Sequence, residues 1–225
     1  MTSAARSSRP VPSRWTGFER KLRAQYGDCL AGMDEVGRGP LAGPVVACAV
    51  IMPATERAIR GVDDSKRLTP GVREKLAVRI RERAVRVALG AASAREVDRY
   101  NIYHATTLAM KRALASLGAI PNHVVLDGRP IRDLGVAHSA VVGGDGRCYS
   151  VACASIVAKV TRDRLMRRLA RRYPQYGWDH NVGYATALHL AAIDAHGASP
   201  HHRASFCIKQ LAFEFGDVLT DQPAD

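Results

Sequence analysis

Four carboxylates stand where acids can do chemistry. Asp34 and Glu35 are adjacent in "GMDEVGRGPLAGPVVACAV", Asp127 closes the apolar run "HVVLDG", and Asp145 lies in "VAHSAVVGGDG". Acids are rarely buried unpaired, yet apolar runs of this kind deliver them from a core to strand tips. Carboxylates converging there repel one another and resist ionising unless a cation joins them. Oxygen-only donors suit Mg²⁺ or Mn²⁺ rather than zinc. Taken singly, Asp127 and Asp145 also suit an ordinary turn before glycine. Asp34 and Glu35 raise a geometric objection, because consecutive residues of a regular strand face opposite sides. Both reach one ion only if the strand ends or bulges there, and Gly37 is a reason for it to end. Otherwise Glu35 contributes through its main-chain carbonyl.

Other chemistries are poorly served. "GRGPLAG" approaches the dinucleotide fingerprint, but Ala42 takes the third glycine's place, and Pro44 opens an apolar strand where that motif needs a helix. No Gly-rich loop ends in Gly-Lys-Ser/Thr, and no Gly-x-Ser-x-Gly turn presents a nucleophile. Ser155, in "CASIVAK", reads as a small residue at a helix-packing contact. His201 and His202 have no second histidine pair or cysteine at zinc-ligand spacing. The five cysteines form no CxxC pair and lie in apolar surroundings, as reduced core thiols of a cytoplasmic protein do.

The elements that must position the acids follow from periodicity. "CLAGMDEV" and "PVVACAVIM" read as two strands of a hairpin. "RLTPGVREKLAVRIRERA" has Thr69 as N-cap, Pro70 at the first helical position, and Val72, Leu76 and Ile80 at helical spacing. "VRVALGAAS" is a strand, and Ser93 with Glu96 forms a capping box for "AREVDRY", followed by a second helix from Ile102 to Leu117. Two short strands end at Asp127 and before Asp145. "SVACASIVAKVTRDRLMRRLARRYP" is a long helix halted by Pro174, with Ala154, Val157, Leu165 and Leu169 inward and Arg164, Arg167, Arg168, Arg171 and Arg172 along its later turns. "ATALHLAAIDAHG" and "SFCIKQLAFEF" add helices. The expected class is α/β, a mixed sheet with a helical C-terminal extension. Residues 1–16 read as a disordered tail rather than a transit peptide, 17–216 as one domain whose helical part covers about 175–216, and 217–225 as a flexible tail.

With 33 basic against 21 acidic residues, the chain carries a formal net charge of +12. Such a field attracts polyanions, with nucleic acid ahead of an anionic membrane. No apolar stretch is long enough to span a bilayer.

Six blocks in order, "MDEVGRGPLAGPVVACAV", "DDSKRLTPGVREKL", "LDG", "GGDG", "SVACASIVAKVTRDRLM" and "GYATALHLAAIDAHGASPHHRASF", make the chain resemble bacterial type 2 ribonuclease H over Leu30 to Phe215. The resemblance implies a ribonuclease H-like fold, a five-stranded mixed sheet flanked by helices. It implies an endonuclease that hydrolyses RNA paired to DNA and cuts 5′ to single ribonucleotides in duplex DNA, leaving 5′-phosphate and 3′-hydroxyl ends. It makes Asp34, Glu35, Asp127 and Asp145 the catalytic ligands of two Mg²⁺ or Mn²⁺ ions. For Asp145 the family often has Lys-Gly-Asp where Gly143, Gly144 and Asp145 stand here. Gly37 and Gly39 lack side chains, so their backbone can approach a sugar closely, while Arg38 can reach a phosphate. The 2′-hydroxyl is the group to be recognised.

On the same resemblance Tyr184 senses the ribonucleotide junction, and Ser65, Lys66, His202, Arg203 and Ser205 contact phosphates. The arginines between Arg162 and Arg172 read as a solvated basic surface. "QLAFEF" at Gln210 loosely resembles a sliding-clamp peptide, although Leu211, Phe213 and Phe215 suit a core better. A monomer acting on nucleic acid, away from membranes, is expected. The competing expectations are a two-metal DNA nuclease or resolvase on the same fold, and a binding module without catalysis.

Overall fold

The computed structural model describes residues 17–206. The two tails, Cys207, and the stretch from Gln210 to Phe215 lie outside the described residues.

Five strands, β1 (Leu30–Val36), β2 (Val45–Ile51), β3 (Arg86–Ala92), β4 (His123–Asp127) and β5 (His138–Val141), form one sheet in the order β3-β2-β1-β4-β5. The β1–β2 and β2–β3 pairs are antiparallel; β1–β4 and β4–β5 are parallel. The sheet is therefore mixed, and the hairpin read from the sequence is present. Helices α1 (Phe18–Tyr26), α2 (Pro70–Arg83), α3 (Ala94–Ala115), α4 (Tyr149–Arg172), α5 (Trp178–Asn181) and α6 (Ala187–His196) complete the fold.

The strand period sorts the core into two layers. Ala31 and Met33 of β1 join Ala47 and Ala49 of β2 and the inner side of α3, while Cys48 and Val50 face α2 and α4. Close approach depends on glycine at two places. A Cβ on Gly32 would lie 2.1 Å from the carbonyl carbon of Ser150, and one on Gly90 would lie 2.1 Å from Ala109 O. Those contacts press α4 onto β1 and α3 onto β3.

Helix α4 begins at Cys148 without a side-chain cap of its own. Glu19 of α1 supplies it: the buried carboxylate accepts from Ser150 N at 2.9 Å and Ser150 Oγ at 2.7 Å, and pairs with Arg23 at 2.8 Å.

Two expectations shift in detail. Val72 is 41% exposed, and Arg73 instead turns inward, donating to the carbonyls of Ser65 (2.8 Å) and Leu68 (2.5 Å) that end the preceding loop. The two helices expected either side of Asn101 run as one, broken where Asn101 takes φ 64°, and its Oδ1 caps Tyr103 N and His104 N.

Candidate active site

Strand β1 does not end or bulge at the acid pair. It continues through Val36, with Asp34 opposite Cys48 and Glu35 opposite Ala47 of β2. The two side chains accordingly take opposite faces of the sheet, Asp34 toward α4 and Glu35 toward α3. Parallel pairing of Met33 with Leu126 sets Asp34, still within β1, beside Asp127 at the end of β4, one rung further on, about 4.8 Å apart in strand spacing. Asp145 arrives from a single 3-10 turn (Gly144–Gly146) that bridges β5 to α4. Gly144 N donates to Asp127 Oδ1 at 2.7 Å, which ties that turn to the end of β4.

The electrostatics are those of crowded acids. Burial, then the neighbouring Glu35 and Asp127, push the Asp34 carboxyl well above the ordinary range, against hydrogen bonds from Ser155 and Glu35 N. Glu35 is raised by burial and Asp127, with Arg38 at 3.2 Å opposing the rise. Asp145 is raised by burial and by the neighbouring Asp64 and Asp127, with Lys66 opposing. Lys66 is exposed; its partial desolvation is outweighed by Asp145, Asp64, Asp34 and Asp127, which together raise its pKa.

The residues fit a divalent ion by donor type and mutual repulsion. Among the described residues no three acids, histidines or cysteines already form a cage. Their present partners are protein groups: Asp34 Oδ1 accepts from Glu35 N at 2.7 Å, Glu35 Oε1 from Arg38 Nη1 at 3.2 Å, and Asp127 Oδ1 from Gly144 N at 2.7 Å, while Asp145 lies beside Asp64.

Beside the acids, Arg38 is half-exposed and Gly39 exposed. Tyr184, 46% exposed, lies against Gly39, where a Cβ would stand 3.8 Å from Tyr184 Cε1. A cavity of about 510 Å³ opens next to this group, lined by Glu35, Arg38, Tyr103, Asp127 and Arg129 among others.

Four residues expected to contact phosphates have protein partners here. Ser65 is buried and its Oγ lies 2.9 Å from Ser155 Oγ, so it braces the serine that bonds Asp34. His202 is buried among Tyr176, Trp178 and His189. Arg203 is fully buried and donates to Gly37 O (2.5 Å), Arg38 O (2.8 Å) and Gly43 O (2.8 Å). Ser205 is spent on Asp98, with its N at 3.0 Å and its Oγ at 2.6 Å from Asp98 Oδ1.

Arg162 likewise departs from the expected basic surface. It is fully buried and holds Pro44 O, Val182 O and Ala42 O at 2.9–3.0 Å. Arg164 and Arg167 pair with Glu74. Burial and the neighbouring Arg162 pull the Arg203 guanidinium down to about 10, still charged at neutral pH.

Three participants went unread in the sequence. Asp64 was signalled by "DDSK", a second adjacent acid pair. Ser155 was signalled by a hydroxyl inside an otherwise apolar helix turn. Arg162 carried no signal separable from the neighbouring arginines.

The sequence model of a family described as Ribonuclease HII matches residues 31–209. The ribonuclease HII of Granulibacter bethesdensis is 48% identical over 196 residues, covering 85% of this chain and 90% of that protein. That of Rhodospirillum rubrum is 52% identical over 189 residues, covering 82% and 87%.

Among solved structures, the ribonuclease H2 of Pyrococcus horikoshii superposes with a TM-score of 0.68 at 26% identity, covering 86% of this chain and 99% of its own. The ribonuclease HII of Archaeoglobus fulgidus, solved in complex with PCNA, gives 0.66 at 25% identity, covering 87% and 98%. Bst-RNase HIII in complex with Mn²⁺ gives 0.65 at 23% identity, covering 87% and 73%, a likeness of fold alone. By the family match and by relatives near 50% identity across most of its length, the chain belongs to the ribonuclease HII family.

Proposed function

We propose that the chain is a divalent-metal-dependent endonuclease that cuts 5′ to a ribonucleotide embedded in duplex DNA and hydrolyses the RNA strand of RNA-DNA hybrids. The observation that supports this reading is the neighbourhood of Asp34 and Asp127 on the paired strands β1 and β4, with the Asp145 turn tied to Asp127 through Gly144 N, Glu35 on the opposite face of β1 with its main-chain carbonyl also available, and exposed Arg38, Gly39 and Tyr184 alongside. These acids would hold Mg²⁺ or Mn²⁺, which when bound activates water and offsets charge on the scissile phosphate and the leaving 3′ oxygen. The chain's own residues supply the rest. Ser155 orients Asp34, the Gly144 amide fixes Asp127, and Lys66 adds positive potential at the rim of the acid group.

Arg38 faces a phosphate next to the scissile one, and Gly39 leaves room for the sugar that Tyr184 flanks. A deoxyribose lacks the hydroxyl these groups would meet. The products would carry 5′-phosphate and 3′-hydroxyl ends, and the cellular role would be removal of misincorporated ribonucleotides. Free thiols at Cys29, Cys48, Cys148 and Cys153 support a reducing cytoplasm as the setting.

The test uses three labelled duplexes, all DNA, DNA with one ribonucleotide, and an RNA-DNA hybrid, with Mg²⁺, Mn²⁺ or EDTA. The second and third are cut with metal and spared in EDTA. Equal cutting of the all-DNA duplex would favour a resolvase-like nuclease, and binding without any cutting would favour a module without catalysis.

A further inference from the structure

We infer that Arg203 is a positioning residue for ribonucleotide recognition: its buried guanidinium turns the peptide planes of the Gly37-Arg38-Gly39 turn so that the Arg38 and Gly39 N–H groups face the substrate. The inference rests on the proposed reading of that turn and adds what orients it. In a trans peptide the carbonyl of one residue and the N–H of the next point in opposite directions. Arg203 captures Gly37 O at 2.5 Å and Arg38 O at 2.8 Å from beneath. The N–H groups of Arg38 and Gly39 must then point away from the buried side, toward the exposed Arg38 side chain and the Tyr184 ring. Among the described residues neither N–H finds a hydrogen-bond acceptor.

The same guanidinium also holds Gly43 O, at 3.1 Å from Nε and 2.8 Å from the terminal nitrogen, so the turn is gripped at both ends. A planar fork with fixed N–H directions does this; an ammonium does not.

The surroundings argue that the position is built for the turn rather than for packing. Arg203 and Arg162 are both fully buried, and their hydrogen-bond partners are main-chain carbonyls. Burying two like charges this way is unfavourable unless their donors are needed where they are. Glycine makes room for the grip: a Cβ on Gly37 would stand 2.1 Å from Arg162 Nε, at φ +91°. Tyr184 is fixed to the same frame, because Leu41 N donates to Gly183 O at 2.8 Å and Arg162 holds Val182 O.

The experiment compares the full chain with Arg203→Lys and Arg203→Met. Binding to the one-ribonucleotide duplex and to its all-DNA counterpart is measured in EDTA, where nothing is cut, and each variant's fold is checked by thermal unfolding. In the wild type the ribonucleotide duplex binds more tightly. In folded Arg203→Lys that preference falls about tenfold while affinity for the all-DNA duplex is kept; a loss of both affinities together is a structural effect and overturns the inference. So does a folded lysine variant that keeps the wild-type preference.

Should neither variant fold, amide NMR of the wild type decides. The Arg38 and Gly39 N–H resonances shift with the ribonucleotide duplex and not with all-DNA, and their failure to do so overturns the inference. A wild type with no preference at all overturns the underlying reading of the turn instead.

Discussion

Asp34 concentrates the physical cost of the site. Its carboxyl is buried beside Glu35 and Asp127, and its raised pKa means the fold favours the protonated acid. The stability from that proton is complete below the unfolded carboxylate value of about 3.9 and is lost as pH rises through the folded value. Asp34→Asn should therefore raise the melting midpoint of the EDTA-treated protein near neutral pH, by roughly 2–4 °C for each kcal/mol relieved. It should also cut activity by at least ~10²-fold, the scale of single groups acting on transition-state charge. Calorimetry and turnover on the same preparation check both; a variant less stable than wild type would contradict the crowding argument.

Gly39 gives the complementary case. Its position has no positive φ, and a Cβ there would meet only Tyr184 Cε1, at an ordinary 3.8 Å. Folding does not require this glycine. Gly39→Ala should leave stability within about 0.5 kcal/mol yet lower the rate on the one-ribonucleotide duplex, as read by chemical denaturation beside cleavage kinetics.

At the scale of elements, strand ends and glycine contacts were legible while side-chain destinations were not. The apolar runs before Asp34 and Asp127, the Ser93–Glu96 capping box and the stop at Pro174 all have local causes, and each element lies where those causes put it. The positions of Ser65, His202 and Arg203 depend instead on contacts across the chain, with Ser155, His189 and the Gly37–Gly43 turn. No local pattern separates a buried arginine from a solvated one. The opposite facing of Asp34 and Glu35 was foreseeable from the strand period, and β1 simply keeps that period to Val36.

The glycine contacts make sharp predictions. Gly32→Ala drives a Cβ into the Ser150 backbone and should destabilise by more than about 3 kcal/mol. Gly71→Ala in α2 meets nothing within 4 Å and should stabilise by about 0.4–1 kcal/mol. The histidine cluster titrates as an element too. Burial, His189 and His201 lower His202 to about 4. His202 Nδ1 accepts Ser199 N at 2.8 Å, so its Nε2–H shares the His189 Nε2 lone pair with Trp178 Nε1–H, each at 3.0 Å, an arrangement that needs both rings neutral. Its stability is complete above the unfolded pKa of about 6.5 and is lost as pH falls toward 4, worth about 3 kcal/mol in all. Urea midpoints at pH 7.5 and 5 should diverge in the wild type and converge in His202→Asn.

The whole molecule joins a small acidic centre to a strongly basic chain. A net charge of +12 is of the sign that draws a polyanion in. Binding should weaken linearly in log salt, by about 0.9 in slope for each phosphate neutralised, and equally for ribonucleotide and all-DNA duplexes. On the proposed reading, discrimination between them would then rest with Arg38, Gly39 and Tyr184 rather than with charge. Among the described residues no helix is long and apolar enough to cross a membrane.

The most direct test of the account is mass spectrometry of the ends left on a duplex with one ribonucleotide, after reaction with Mg²⁺ or Mn²⁺. Water activated at the carboxylate centre leaves a 3′-hydroxyl on the deoxynucleotide before the ribonucleotide and a 5′-phosphate on the ribonucleotide itself. A 2′,3′-cyclic phosphate on the ribonucleotide, with cutting on its 3′ side, would mean that the 2′-hydroxyl is the nucleophile. The roles given to Asp34, Glu35, Asp127 and Asp145 would then be wrong.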